Sequence, residues 1–405
     1  MAKSTKAKLL RKALTQNKGI LRLAPAWVPR QFLRPGGRLK LCTNDLYRLG
    51  ADRGGIQERW LTSTTKADNG PGTPADEGLS HVIIDNKKAM LLEEAIELEP
   101  DLILGKEIVE RYGGWNVLAK FFDTMGPIPH HLHQSDEQVK ALGKRGKPEA
   151  YYFPKQLNLT ENTFPYTFFG LSPGTTKKDI RSCLQRWNEG DNGILDYSQA
   201  YRIQTGTGWF VPACILHAPG SLLTYEVQAP SDVFAMFQSM IEGRPVSWDL
   251  VTRDLPKDKH HDLDYIVSLI DWKANLDEHF RKNHYRQPKL VAVTQEQGYQ
   301  EKWVVYDTAD IFSAKELTVP SQKSVTIKDD GAYGLIVLEG HGTIGGLMVE
   351  SPTIIGYDDL SYDELFVSTE TAKTGVKFVN SGKENLVALK HFGPGTDLQG
   401  TEAKI

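Results

Sequence analysis

The chain contains 405 residues, and its 48 basic and 51 acidic side chains give a formal net charge of −3. This length allows more than one hydrophobic core, and the balanced charge lacks the basic excess of nucleic-acid-binding proteins. Three cysteines are too few for a disulfide framework and favour a reducing, cytoplasmic location. No apolar run reaches the roughly 18 residues of a membrane helix, so neither a membrane nor a nucleic acid is expected as a partner.

The N-terminal part of the chain predicts a lead-in to the main body of the protein. Residues 1–19 are basic but have no apolar segment, which argues against a secretory signal and favours a solvated helix. The proline-containing residues 20–45 predict extended chain, and residues 88–112 predict a helix that is interrupted at Pro100. Residues 115–123 are apolar enough for a buried strand, which leads directly into a histidine pair.

That histidine pair, His131 and His133, is the first candidate for a metal site. On a β-strand, residues two apart point to the same face, roughly 6.5–7 Å from each other along the chain. His130 and Leu132 would then face the other way. A carboxylate at Glu149, on the following predicted strand, would bring a hard oxygen beside the two imidazoles. This mixture suits Zn, Fe, Mn or Ni better than Mg or Ca.

Residues 201–228 predict short antiparallel strands with tight glycine and proline turns. His217 lies in this region. A lone histidine on an apolar strand is more often a core residue than a ligand, but a three-ligand site would still lack a fourth position. Residues 231–286 are charged and helix-like, and we assign their histidines to solvent-exposed faces. These histidines are His260, His261 and His284.

The last part of the chain, from Lys289 onward, again predicts short strands. Its histidines, His341 and His391, have no partner at metal-ligand spacing, so this part is interpreted as structural. Many short strands with glycine and proline turns are typical of a β-barrel or jelly roll. The chain therefore predicts a mainly β protein with two such barrels. The clearest inserted helix is predicted to follow Thr176, which is a good N-cap.

Several segments, taken in order, resemble motifs of the type I mannose-6-phosphate isomerases, which are zinc-dependent proteins of the cupin superfamily. The matching segments are Glu58-Arg59-Trp60, Leu118 to Asp123 with the histidine stretch after it, Gly146 to Glu149, Gly208 to Ala218, and Leu223 to Val233. The resemblance covers most of the chain from about Glu58 onward. It implies two cupin domains, a divalent metal cofactor with zinc favoured, and activity on a sugar or sugar phosphate.

The resemblance also implies a set of metal ligands. Carried over onto this sequence, the zinc ligands of the family fall on His131, His133, Glu149 and His217. The family usually has glutamine at the position of His131, where a histidine still ligates. The resulting set of three histidines and one glutamate is common in other cupins.

Residues that handle the substrate in the family fall on Lys147, Glu226 and Asp232. This chain departs from the family pattern at Met236, where the family has an arginine that helps to hold the substrate and its developing negative charge. It departs again at Cys214, which replaces a turn glycine. The first departure puts a phosphosugar substrate in question.

These observations predict four parts of the chain. Residues 1–112 form an N-terminal extension that packs on the first barrel, and residues 113–240 form a metal-binding cupin domain. Residues 241–288 form a helical linker. Residues 289–405 form a second cupin domain without a metal site.

The leading functional hypothesis is a metal-dependent aldose–ketose isomerase that works through an enediolate. Glu226 is a candidate for moving the proton, and Lys147 for donating to substrate oxygens or holding a phosphate. The structural alternatives are that Glu226 faces solvent on an edge strand, that Lys147 pairs with a surface acid, and that Asp232 only caps a helix. Two other functions stay open: another cupin metalloenzyme, such as an oxygenase or lyase, and a non-catalytic sugar-binding or regulatory protein.

Overall fold

A computed structural model describes residues 3–31, 33–159, 165–308 and 310–396, without the side chains of residues 292 and 293. In these residues the protein is mainly β, with antiparallel pairing in every sheet, which confirms the predicted fold class. None of the described helices is both long and apolar enough to cross a lipid bilayer. The predicted division into domains stays a prediction.

Two sheets form the part of the molecule that contains the histidine pair. The seven-stranded sheet contains, in spatial order, Tyr285–Arg286, Gly208–Val211, Glu149–Tyr152, Thr224–Gln228, Leu118–Phe122, Gly55–Leu61 and Ala26–Arg30. The five-stranded sheet contains Ser198–Arg202, Tyr166–Leu171, His217–Ala218, His131–Leu132 and Ala235–Met236. Aromatic residues such as Phe122, Phe169 and Trp209 fill the space between these sheets.

Two more sheets form the second half of the β structure. The nine-stranded sheet contains Lys289–Leu290, Gln300–Val305, Ser313–Val319, Leu386–Phe392, Tyr333–Glu339, Glu364–Val367, Ile20–Leu23, His81–Ile84 and Lys87–Leu91. The four-stranded sheet contains Ser324–Ile327, Val376–Asn380, His341–Ile344 and Leu347–Glu350, and a separate hairpin pairs Met240–Ile241 with Arg244–Pro245. The strand Ile20–Leu23 thus ties the N-terminal lead-in to strands from the end of the chain.

The four large sheets stack in layers, each pair joined by its own hydrophobic core. The five- and seven-stranded sheets enclose one core, and the nine- and four-stranded sheets enclose another. The seven- and nine-stranded sheets pack back to back through a third core that includes Tyr225 and Phe366. A helical layer covers the outer face of the five-stranded sheet, where Leu132 meets residues such as Ile180.

The helices are short and lie mostly where the sequence predicts them. The α-helices are Lys3–Gln16, Leu92–Leu98, Pro100–Ile103, Lys106–Tyr112, Asp136–Val139, Lys177–Gln185, Asp249–Thr252, Leu263–Ser268, Trp272–Asn275, Phe280–His284, Ala292–Glu296 and Thr369–Thr374. Thr176 caps its helix by accepting from the backbone N–H of Asp179, as predicted. The predicted helix over residues 88–112 begins later, because residues 87–91 pair with the strand His81–Ile84.

Alternation along the seven-stranded sheet decides which side chains reach the candidate site. On the strand Thr224–Gln228, Tyr225 and Val227 point to the core shared with the nine-stranded sheet. Glu226, between them, therefore points to the opposite face, toward the five-stranded sheet. The same alternation places Lys120 on that face, directly across from Glu226 in the strand register.

Polar contacts cross the interface between the seven- and nine-stranded sheets. The guanidinium of Arg59 lies 2.8 Å from the carboxylate of Asp363. The ring of His391 lies between two hydroxyl groups, with Nε2 2.5 Å from Thr62 Oγ1 and Nδ1 3.0 Å from Tyr225 Oη. Burial lowers the pKa of His391 to about 3. This histidine is therefore neutral in the folded protein at neutral pH.

We expect His391 to make the protein less stable in acid. Since its folded pKa lies below the usual value of about 6.5, its contribution is complete above that pH and is lost toward pH 3, by up to about 1.4 kcal/mol per pH unit. A His391→Gln variant should be less stable than the wild type at pH 8, and the difference should shrink by about 2 kcal/mol at pH 5. Urea unfolding of the metal-free proteins measures both values. An equal difference at both pH values would contradict this assignment, and His341→Gln, the substitution of an exposed histidine, is the control for the effect of the exchange itself.

Candidate metal centre

Three histidines converge between the five- and seven-stranded sheets. His131 and His217 are direct partners on neighbouring strands, and His133 follows two residues after His131. The ring centroids lie 4.3 Å apart for His131 and His217, 4.9 Å for His131 and His133, and 5.1 Å for His133 and His217. One nitrogen from each ring lies within 4.8 Å of the others, and all three residues are buried. This triad could hold a metal ion.

The backbone orients all three rings in the same way. The Nδ1 atoms of His131, His133 and His217 lie 2.7, 2.7 and 2.8 Å from the carbonyl oxygens of Pro129, Val233 and Ile215, respectively. A carbonyl oxygen only accepts hydrogen bonds, so each Nδ1 carries the proton. The lone pair of each ring is then on Nε2, which is the form in which imidazole binds a metal.

Glu149 completes the group from the facing sheet. Its Oε2 lies 3.1 Å from His133 Nε2, and its Oε1 lies 3.1 Å from His217 Nε2. The carboxylate is fully buried, and the hydroxyl of Tyr151 donates a hydrogen bond to Oε1. Glu149, from a third part of the chain, thus contacts two of the three histidines of the triad.

The chemistry of this group fits a divalent metal ion. Three nitrogen donors and one carboxylate form a set that zinc and other first-row metals accept. Burial, together with neighbouring positive charge, lowers the pKa of His131 well below its usual value and that of His133 to about 4. One buried atom that faces the centre, His217 Nε2, makes no hydrogen bond in the described structure. A cation at the centre would satisfy it.

Two lysines and a second glutamate lie beside the four ligand candidates. The ammonium of Lys147 is 2.8 Å from Glu149 Oε2 and 3.1 Å from Glu226 Oε1. The ammonium of Lys120 is 3.5 Å from Glu226 Oε2 and 3.4 Å from Glu58 Oε1. Glu226 is buried on a central strand, so it does not face solvent on an edge. Lys147 pairs with buried acids and not with a surface acid.

The environment moves the pKa values of Glu226 and Lys147 in a way that suits proton transfer. Burial, and then the negative charge of Glu149, raise the pKa of Glu226 to about 7. Burial disfavours the ammonium of Lys147, but Glu149 and Glu226 outweigh it and raise the pKa of this lysine. Lys147 is therefore a hydrogen-bond donor at neutral pH, while Glu226 can exchange a proton.

Asp232 also lines the pocket. No described helix begins after Ser231, so Asp232 does not act as a cap. Its carboxylate binds Arg30, whose Nη2 is 3.0 Å from Oδ1. Burial opposes ionisation of Asp232, but Arg30 outweighs it and lowers the pKa of the carboxyl group.

Three further charged residues line the pocket that sequence reasoning did not assign to it: Arg30, Glu58 and Lys120. Two of them lie in segments that carry the family resemblance, and this was the signal that could have found them. Arg30 gave no such signal, because its partner Asp232 is 202 residues away in sequence.

The two departures from the family pattern have structural counterparts. Met236 lies opposite His131 in the five-stranded sheet and lines the pocket. Arg30 also lines this pocket, so a guanidinium is present, from a different part of the chain. Cys214 has a φ of 66°, the left-handed conformation that glycine adopts most easily. Of the three histidines assigned to solvent-exposed faces, His261 is exposed, whereas His260 and His284 are half-buried. His284 stacks on Phe280 with 4.1 Å between the ring centroids.

Comparison with known proteins identifies the fold. No family model matches the chain, and no curated protein matches its sequence. The solved structure of mannose 6-phosphate isomerase from Bacillus subtilis is similar over 92% of this chain and 99% of that one, with a TM-score of 0.59 and 16% identity. A variant of phosphomannose isomerase from Salmonella typhimurium is similar over 93% and 100%, with a TM-score of 0.57 and 13% identity.

The chain therefore has the fold of these isomerases, with a buried histidine triad that could bind a metal. The similarity extends over almost the full length of both solved structures. Its low sequence identity identifies the fold alone.

Proposed function

We propose that this protein is a metal-dependent aldose–ketose isomerase that acts on a sugar or sugar phosphate through an enediolate. The observation that carries the proposal is the position of Glu226, a buried carboxyl group 3.1 Å from the ammonium of Lys147, beside a buried three-histidine, one-glutamate centre. The fold shared with mannose 6-phosphate isomerase from Bacillus subtilis supports it.

The ligand set that we propose is His131, His133, Glu149 and His217, with zinc as the metal. When bound, the metal would supply Lewis-acid stabilisation of negative charge on the sugar oxygens. All four residues are buried, and burial strengthens this stabilisation because water does not screen it.

We assign separate roles in the reaction to the side chains around the centre. We assign proton transfer between the two reacting carbons to Glu226, since an acid–base group works best with a pKa near the working pH. Lys147, held 3.1 Å from Glu226, donates to a substrate oxygen as negative charge develops there. Asp232 positions the side chain of Arg30 at the pocket wall.

Incubation of metal-loaded protein with mannose 6-phosphate, fructose 6-phosphate and unphosphorylated hexoses and pentoses tests the proposal. We expect aldose–ketose conversion with at least one of these compounds, and no conversion after the metal is removed by a chelator. Absence of conversion with every compound would contradict the isomerase assignment.

A further inference from the structure

The nine-stranded sheet repeats the strand arrangement that carries part of the metal centre. Taken in chain order, five strands of the seven-stranded sheet have the spatial order first, second, fifth, third, fourth, and five strands of the nine-stranded sheet have the same order. The corresponding strands are Gly55–Leu61 and Gln300–Val305, Leu118–Phe122 and Ser313–Val319, Glu149–Tyr152 and Tyr333–Glu339, Gly208–Val211 and Glu364–Val367, and Thr224–Gln228 and Leu386–Phe392. The two sheets can therefore be compared residue by residue.

The strand registers extend this correspondence to single residues. In both sheets the first strand carries a glutamate and, two residues later, a tryptophan that lies opposite a lysine of the second strand. That lysine lies opposite one residue of the fifth strand, and the residue two positions further along the fifth strand lies opposite one residue of the third. Four of the five residues in the first sheet line the metal pocket. The corresponding pairs are Glu58 and Glu301, Trp60 and Trp303, Lys120 and Lys315, Glu226 and Lys390, and Glu149 and Tyr333.

Four charged side chains form a closed ring at this second position. The ammonium of Lys315 lies 2.8 Å from Asp329 Oδ1 and 3.4 Å from Glu301 Oε2. The ammonium of Lys390 lies 2.7 Å from Asp329 Oδ2 and also contacts Glu301 Oε1. Burial disfavours the charged forms, but the opposite charges outweigh it, so that the pKa of Lys390 is raised and the pKa of Asp329 is lowered. Two lysines and two acids thus balance each other in the ring.

Tyr333, the counterpart of Glu149, adds a polar group beside the ring. The centroid of its aromatic ring lies 5.3 Å from the ammonium of Lys390. The residue is fully buried, and its hydroxyl group has no hydrogen-bond partner in the part of the chain that the structure describes. Buried hydroxyl groups are normally hydrogen-bonded. This position therefore has hydrogen-bonding capacity that the described residues do not use.

The charged ring borders a cavity, which we call the second cavity. Its volume is about 470 Å³, within the range of about 300–1,000 Å³ that is usual for small-molecule sites. Three of the four ring members line it: Glu301, Lys315 and Asp329. The other polar side chains in its lining are Thr294, Gln297, Tyr299, Thr326, Lys328, Asp330 and Thr396. The second cavity thus combines the volume of a small-molecule site with a polar wall.

The charges at the second cavity sum to zero. Three acids and two lysines line it, and Lys390, which contacts two of these acids, supplies the third positive charge. An ion of either sign therefore gains little from the sum of these charges. To pair with a member of the ring, it would also have to displace a buried partner of that group. The site favours a ligand that forms hydrogen bonds and carries no charge.

We propose that the second cavity binds an uncharged polyhydroxyl compound, a sugar or an alditol, through hydrogen bonds and without a metal ion. An ammonium has three N–H donors and a carboxylate has about four acceptor sites. Hydroxyl groups can therefore bind to Lys315, Glu301 and Asp329 while the ring stays closed. Lys390 and Tyr333 replace the two acids of the metal pocket, so the ligand is bound but not converted. This site goes beyond the proposed isomerase function and does not depend on it.

Three compounds with the same six-carbon chain test the charge of the ligand. Sorbitol, gluconate and glucamine differ at the first carbon, which carries a hydroxyl group, forms a carboxylate or carries an ammonium. None of them can undergo aldose–ketose isomerisation, so calorimetry with the zinc-loaded protein measures binding alone. We expect sorbitol or its epimer mannitol to bind to the second cavity about tenfold more tightly than the two charged compounds, a ratio that corresponds to ~1.4 kcal/mol.

Thr326→Trp identifies the binding that belongs to the second cavity. Thr326 is exposed and lines the cavity but is not a member of the ring, so the larger side chain fills space and leaves the charges in place. Ser324→Trp is the matched control, because Ser324 is an exposed residue of the same strand that does not line the cavity. Binding of sorbitol or mannitol should weaken by about tenfold or more in Thr326→Trp and should stay unchanged in Ser324→Trp.

Three results would overturn the inference. The first is that neither sorbitol nor mannitol binds. The second is that both tryptophan variants bind these compounds as the wild type does, and the third is that the binding lost in Thr326→Trp is tighter for gluconate or glucamine. A failure to isomerise any sugar would contradict the proposed function and leave this inference standing, because none of these measurements involves turnover.

Discussion

The His133→Ala variant is expected to lose its bound metal and, with the metal, sugar isomerisation. His133 contributes one of the three imidazoles and also contacts Glu149 at 3.1 Å, so the substitution removes a ligand and releases another. Loss of about 4 kcal/mol of Lewis-acid stabilisation corresponds to a decrease in kcat on the order of 10³-fold. Metal analysis after dialysis should show about one metal ion per wild-type chain and far less in the variant.

His130→Gln is the control that separates ligand loss from damage to a buried strand. His130 is as buried as the triad, but its Nε2 lies 2.9 Å from Ser198 Oγ, and it is not one of the three metal-binding candidates. This variant should lose stability and keep its metal. Full metal content and full activity in His133→Ala would contradict the metal centre as we describe it.

The alternation of side chains along a β-strand was enough to predict that His131 and His133 contribute to the same site. His131 and His133 point to one place, while Leu132 lies in the core on the other face of the sheet and His130 contacts Ser198. This follows from local geometry, because side chains on a strand alternate between its faces. Local geometry does not say which distant strand supplies the remaining ligands.

His217 and Glu149 show this limit. From the sequence pattern alone, His217 could be either a core residue or a metal ligand. Only the family resemblance assigned it to the same site as His131 and His133. In the structure it pairs with His131 across the five-stranded sheet, whereas Glu149 arrives from the seven-stranded sheet. The pairing of distant strands depends on how whole sheets pack. The periodicity of residues along one strand does not predict this pairing.

The position of Arg30 in the pocket could not be predicted from the sequence for the same reason. The sequence predicted extended chain around it, and it does end the strand Ala26–Arg30. Its direction depends on a register shift between Val28 and Pro29 against the neighbouring strand, and such shifts reverse the face to which a side chain points. The interruption of the helix at Pro100 was predictable, because proline acts locally. A second break, between Pro100–Ile103 and Lys106–Tyr112, was not predicted.

The second large effect on activity is expected from substitution of Glu226. Glu226→Gln keeps the size of the side chain and its contact with Lys147 but cannot exchange a proton. Since a positioned acid–base group contributes about 10²–10⁴-fold to the rate, kcat should fall by that factor. The metal content should stay unchanged, because the proposed ligands Glu149, His131, His133 and His217 are intact.

Proton exchange distinguishes this role from a purely structural one. If Glu226 moves the proton, the variant should also fail to exchange the hydrogen next to the sugar carbonyl with deuterated water, a reaction that needs deprotonation but no completed isomerisation. Glu316→Gln is the matched control: it is also a buried acid, but it accepts from Tyr152 Oη over 2.7 Å at the opposite face of the seven-stranded sheet, and it should keep both exchange and kcat. If Glu226→Gln still exchanged this hydrogen at the wild-type rate, the proton would have to move through another group. Burial and the negative charge of Glu149, which outweigh the two lysines, would then explain the raised pKa of Glu226 as a consequence of packing beside the candidate metal centre.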